Sequence, residues 1–183
     1  MKVLVIPEDQ ELDQYVVRPV AELLLWDVGL KAKVEVLPEP RLRGASQALS
    51  AAVIGEIVSD NPMVDLFLLF VDLDCNRDEN ESRAERRERE HLGKLLACCA
   101  WQEVEVWMLS AYKELLGVPW QEVRKECDPK ERFAELVLQR VKSSGPGRGR
   151  KTAMRAASVN SLLTCDELVD LRSRLVDWRD ARG

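Results

Sequence analysis

Leu66-Phe67-Leu68-Leu69-Phe70-Val71-Asp72-Leu73-Asp74 is an unbroken apolar run that ends on two carboxylates. A continuous apolar stretch this short suits a strand buried on both faces better than a helix, which would need roughly 10 or more residues to show its period. Working outward, Val3-Leu4-Val5-Ile6 is a run of the same kind bounded by Pro7, and Val34-Glu35-Val36-Leu37 is closed by Pro38-Glu39-Pro40. Between the first two runs, apolar residues recur at Val16, Val20, Leu23 and Leu24, and Gly29 follows where a helix would stop. Between the second and third, Ala48, Ala51, Ala52, Ile54, Ile57 and Val58 form an amphipathic pattern ended by Asp60-Asn61-Pro62. Strand, helix, strand, helix, strand predicts an α/β domain with a central, mainly parallel sheet and right-handed crossovers.

Parallel strands bring their carboxyl ends to one edge, where open α/β folds hold their ligands. Glu8 follows the first strand, and Asp72 and Asp74 follow the third. Residues two apart at a strand end point the same way, so Asp72 and Asp74 can share one hard cation, and Glu8 would join them. Carboxylates gathered this closely repel unless a cation or a proton relieves them. Mg2+, or Mn2+ in its place, is therefore the expected cofactor, held by Glu8, Asp72 and Asp74. Glu105, in Trp101-Gln102-Glu103-Val104-Glu105-Val106-Trp107, is a candidate fourth ligand, set against the plain alternative of an amphipathic turn into a helix.

Beyond Asp74, residues 78–94 are almost wholly charged and read as a solvated helix carrying Glu/Arg pairs. Leu95 to Trp101 is a fourth short apolar element, and the last third reads as helical, with Thr164-Cys165-Asp166-Glu167 at capping-box spacing before the final helix. The basic stretch Gly145-Pro146-Gly147-Arg148-Gly149-Arg150-Lys151-Thr152 imitates a phosphate-binding P-loop. Arg150 stands where the loop needs glycine and a helix precedes it, which argues against a nucleotide site. Arg148 and Arg150 are instead expected as phosphate contacts, with Lys151 offsetting charge that develops on the phosphate, set against the plain alternative of a solvated loop.

The bulk numbers fit one domain with a helical extension. The 183 residues are 46% hydrophobic, with a net charge of −5 that does not advertise nucleic-acid binding. The five cysteines lack Cys-x-x-Cys spacing, which argues for reduced thiols over a disulfide frame or structural zinc. The single histidine, His91, lies in the charged helix, away from any catalytic pattern. No apolar run reaches the roughly 20 residues of a membrane span, and Met1 leads straight into the first strand without a signal-peptide pattern, so a cytoplasmic protein is expected.

Ile6-Pro7-Glu8-Asp9 and Asp72-Leu73-Asp74 resemble the glutamate and paired aspartates of the Toprim fold of topoisomerases, primases and overcoming-lysogenization-defect nucleases. The wider pattern, Asp13-Gln14-Tyr15, Pro19, Ala100 to Trp107, Pro129 to Phe133 and Gly147 to Lys151, is similar to an uncharacterised bacterial family with a Toprim-like core. The resemblance implies a three-layer Toprim-like core over residues 1–116 and a helical C-terminal extension over 117–183. It assigns general acid/base work to Glu8 and magnesium coordination to Asp72 and Asp74. It further implies nuclease or related phosphodiester chemistry on nucleic acid, an ATPase as protein partner in bacterial defence, and compatibility with a homo-oligomer. The alternative is a non-catalytic interaction subunit of an ATPase-containing complex. Asp9 departs from the family's pattern, in which glycine follows the glutamate; it adds negative charge and removes backbone freedom where a polyanion would approach.

Overall fold

The computed structural model describes residues 1–73 and 77–182. It opens with β1 (Lys2–Pro7), α1 (Gln14–Asp27) and β2 (Lys33–Val36), then α2 (Ala45–Ala48), α3 (Ala51–Asp60) and β3 (Leu66–Asp72). After these come α4 (Arg77–Glu90), β4 (Leu95–Ala100) and α5 (Glu105–Leu109). The remaining helices are α6 (Trp120–Lys125), α7 (Glu135–Arg140), α8 (Arg150–Ala153), α9 (Val159–Leu162) and α10 (Asp166–Asp180).

Among the described residues, four strands form one sheet in the order β2-β1-β3-β4, and every pairing between them is parallel. Alternate residues divide the core between the two faces. Val3 and Val5 of β1, with Leu66, Leu68 and Phe70 of β3, pack into one cluster with Val16, Val20 and Leu24 of α1. Leu4, Ile6, Phe67, Leu69 and Val71 point the other way, into a second cluster with Ile54 and Ile57 of α3 and Ala84 of α4. Both clusters are apolar, which explains why β1 and β3 read as unbroken hydrophobic runs instead of alternating ones.

The C-terminal helices lie on the α1 side. Ala153, Leu162, Leu168, Leu171, Leu175 and Trp178 share the cluster that holds Val3, Val5 and Phe70, so buried residues from both sides of the expected boundary after residue 116 meet in one core. The start of α10 departs from the sequence expectation. Cys165 is its N-cap and makes no side-chain cap bond. Glu167, expected to close a capping box, instead accepts hydrogen bonds from Arg124 Nη1 and Nη2 at 2.8 and 2.6 Å and from Trp107 Nε1 at 2.9 Å. A charged guanidinium and an indole outcompete a local backbone N–H for that carboxylate. The capping box that does form joins Ser158 and Ser161 at α9.

β4 is an edge strand, and side chains close it. Ala97 N–H donates to Glu88 Oε2 at 2.9 Å, and Ala97 C=O accepts from Arg174 Nη2 at 2.9 Å, while Arg174 Nη1 pairs with the same Glu88 oxygen at 2.8 Å. Two charged side chains thus stand in for a neighbouring strand. Among the described residues, no helix is long and apolar enough to cross a membrane.

Candidate functional site at the carboxyl edge

In a sheet ordered β2-β1-β3-β4, the chain leaves β1 toward β2 and later returns on its other side as β3. The crevice beyond the carboxyl ends of β1 and β3 is the topological switch point, where ligands of open α/β sheets sit. Glu8 and Asp72 meet there. Asp72 N–H donates to Glu8 Oε2 at 2.8 Å, and Val104 N–H donates to Asp72 Oδ1 at 2.9 Å, so backbone donors fix the direction of both carboxylates. Asn80 Nδ2 reaches the Asp72 and Leu73 carbonyls at 3.5 Å from α4, holding the end of β3. Gly44, with φ +86°, lies beside Glu8: a Cβ there would stand 3.9 Å from Glu8 Oε1. Asp74 lies outside the described residues.

Behind this pair the edge is crowded with charge. Asp13, at the start of α1, is buried and accepts from Asp9 N–H at 3.1 Å. Burial pushes the Asp13 carboxyl up to about 8, and the charge on Glu105 adds to the rise. Burial also pushes Glu103 up to about 7, against the Lys130 N–H that donates to it at 3.0 Å. Burial works against the Lys130 ammonium, yet Glu105 and Glu103 hold its proton above the usual lysine range.

Two of the expected site residues are buried together. Arg150, expected as a phosphate contact, is 1% exposed. Its Nε and Nη2 both donate to Glu105 Oε1, at 2.9 and 2.7 Å. Glu105, the candidate fourth metal ligand, is likewise 1% exposed. Each charge commits the other, because a buried ion survives only with a close, well-oriented partner. Arg148 and Lys151, on either side of Arg150, remain exposed.

The Arg150 to Glu105 pair also anchors the glycine loop. Gly147, with φ +65°, lies so close to α1 that a Cβ would sit 2.7 Å from Tyr15 Cγ. Gly149, with φ +92°, would place a Cβ 2.7 Å from the Ser143 carbonyl. The loop therefore rests on the first turn of α1. Tyr15 gives that contact, and Gly147, lacking a Cβ, makes it sterically available.

Sequence reasoning missed Asp13 and Gln102 as members of this edge. Asp13 stood within a quoted motif without a role, and its burial is a tertiary property. Gln102 is 2% exposed, has φ 108° and carries an Oε1 with no hydrogen-bond partner, a combination no local pattern signals. The tryptophans split: Trp107 is fully buried, edge-on to Phe70 at 5.6 Å, whereas Trp26 is 76% exposed. Cys98 is buried, and burial pushes its thiol well above the usual range, as expected of an inert core cysteine.

A separate cleft of about 950 Å³ runs along the β4 edge between α4, α6 and α10, with Trp101, Trp120, Arg124 and Glu167 among its walls. Neither Glu8 nor Asp72 lines it. Among the described residues, no group of three or more His, Cys, Asp or Glu side chains is placed to hold a metal ion. No family model, curated protein or solved structure matches the chain.

Proposed function

We propose that the chain is a Toprim-like, divalent-metal-dependent nuclease or related phosphodiester-cleaving enzyme, serving as an effector subunit in bacterial defence. The observation that carries this reading is the packing of the basic glycine loop on Tyr15 of α1, the helix that follows the Glu8 strand. A polyanion contact and a carboxylate pair at the switch point thereby belong to neighbouring segments. Two carboxylates suit Mg2+ or Mn2+, which complete their shells with water and substrate phosphate more readily than with protein ligands. Glu8 and Asp72 would hold the ion, with Asp74 the further carboxylate that the sequence offers. Bound there, the ion supplies Lewis-acid stabilisation of charge on a phosphoryl oxygen.

The chain's own groups do the rest. Glu8 takes the proton of the attacking group and delivers it to the departing oxygen as its bond to phosphorus breaks, Arg148 contacts the phosphodiester, and Lys151 offsets charge developing on it. Arg150 is the latch that holds these two cations in place through Glu105. An ATPase-containing complex is the partner this reading anticipates.

A second reading, a non-catalytic interaction subunit, is favoured by the cleft along β4 and by the withdrawal of Arg150 from the surface. Incubation with single- and double-stranded DNA and with RNA, in Mg2+ or Mn2+, separates the two. The enzyme reading expects cleavage that requires the ion and falls by about a hundredfold or more in Asp72→Asn. No cleavage by wild type, or equal cleavage by both proteins, would support the interaction subunit.

A further inference from the structure

Gln102 carries two costs at once. Its φ of 108° lies in the left-handed region that a side chain other than glycine rarely adopts. Its amide oxygen is buried without a donor, so it has lost water and gained no hydrogen bond in exchange. Such costs persist where surrounding structure imposes them, and they gather at ligand sites.

The loop that imposes them is pinned to Asp72 at both ends. Ala100 is the register partner of Asp72, and its carbonyl accepts from Leu73 N–H at 3.2 Å. Four residues on, Val104 N–H donates to Asp72 Oδ1 at 2.9 Å. Residues 101–103 must therefore turn over the end of β3. Gln102 N–H folds back onto Ala100 C=O at 2.9 Å to make that turn, and its side chain is carried inward.

Resting on the reading of Glu8 and Asp72 as a cation-holding pair, we propose that the Gln102 amide oxygen is a further ligand of that cation. A glutamine carbonyl is an ordinary oxygen ligand for a hard divalent ion. A neutral ligand also suits this edge, because Asp9, Asp13, Glu103 and Glu105 already crowd it with acid, and another carboxylate would add repulsion. The orphaned oxygen, the imposed turn and the double anchorage on Asp72 then share one cause.

Calorimetric titration with MnCl2 tests this on wild type, Asp72→Asn, Gln102→Leu and Gln102→Glu. Wild type is expected to bind, and Asp72→Asn to lose binding. Gln102→Leu should weaken binding about tenfold or more, while its melting temperature without metal stays level or rises, because the orphaned oxygen is gone. Gln102→Glu should bind at least as tightly as wild type. If Gln102→Leu fails to fold, Gln102→Gly, which suits the left-handed backbone, takes its place with the same expected loss. Binding by Gln102→Leu within about twofold of wild type, with Asp72→Asn inert, overturns the Gln102 assignment and leaves the Glu8 and Asp72 reading standing. Absence of manganese binding in wild type overturns both.

Discussion

Asp13 enters α1 with a buried carboxyl pushed up to about 8, so near neutral pH the folded chain holds a proton that the unfolded chain, with an ordinary value of about 4, has released. Between those values the folded state binds more protons. Stability therefore falls as pH rises from about 4 to about 8 and levels off above. Asp13→Asn removes this dependence while keeping an oxygen for Asp9 N–H. The variant is expected to exceed wild type in the unfolding free energy from urea titration at pH 9 by an amount on the order of a few kcal/mol, with the gap closing toward pH 5. A constant gap across that range would show that Asp13 is not the titrating group. Nothing in Glu8-Asp9-Gln10-Glu11-Leu12-Asp13 marks the last acid as the buried one, because each looks equally at home in a polar turn. Glu105 and Arg150 were opaque for a related reason. They stand 45 residues apart, and burial of such a pair follows from how α8 meets α5, which no local period encodes.

Strands and long helices were the legible elements. Continuous apolar runs named β1 and β3, because strands covered on both faces have no solvent side to alternate with. The charged run 78–94 overlaps α4, whose buried Asn80, Ala84 and Arg87 supply a single inward stripe. The basic loop was legible as a loop, but its seat was not, since the closeness of Gly147 to Tyr15 depends on two segments that are distant in sequence. The two glycines give a graded test of that seat. Gly145→Ala meets nothing within 4 Å and bears only the cost of φ +101°, about 1–2 kcal/mol. Gly147→Ala adds overlap with the Tyr15 ring and is expected to cost about 2–4 kcal/mol. Urea unfolding of both variants checks the ordering, and equal losses would contradict the packing of the loop on α1.

At the scale of the whole molecule, the strand order decides where chemistry can occur. With β1 and β3 adjacent and the chain leaving them in opposite directions, Glu8 and Asp72 are the acids that the topology delivers to the switch point. Helices on both faces, including those of the C-terminal third, bury that sheet. The proposal that this edge is a divalent-cation site is tested most directly by anomalous diffraction from crystals of the wild-type chain grown in manganese. The expected result is one anomalous peak lying within ligand distance of carboxylate oxygens of both Glu8 and Asp72. A peak elsewhere, or none at a manganese concentration that saturates binding in solution, would contradict it.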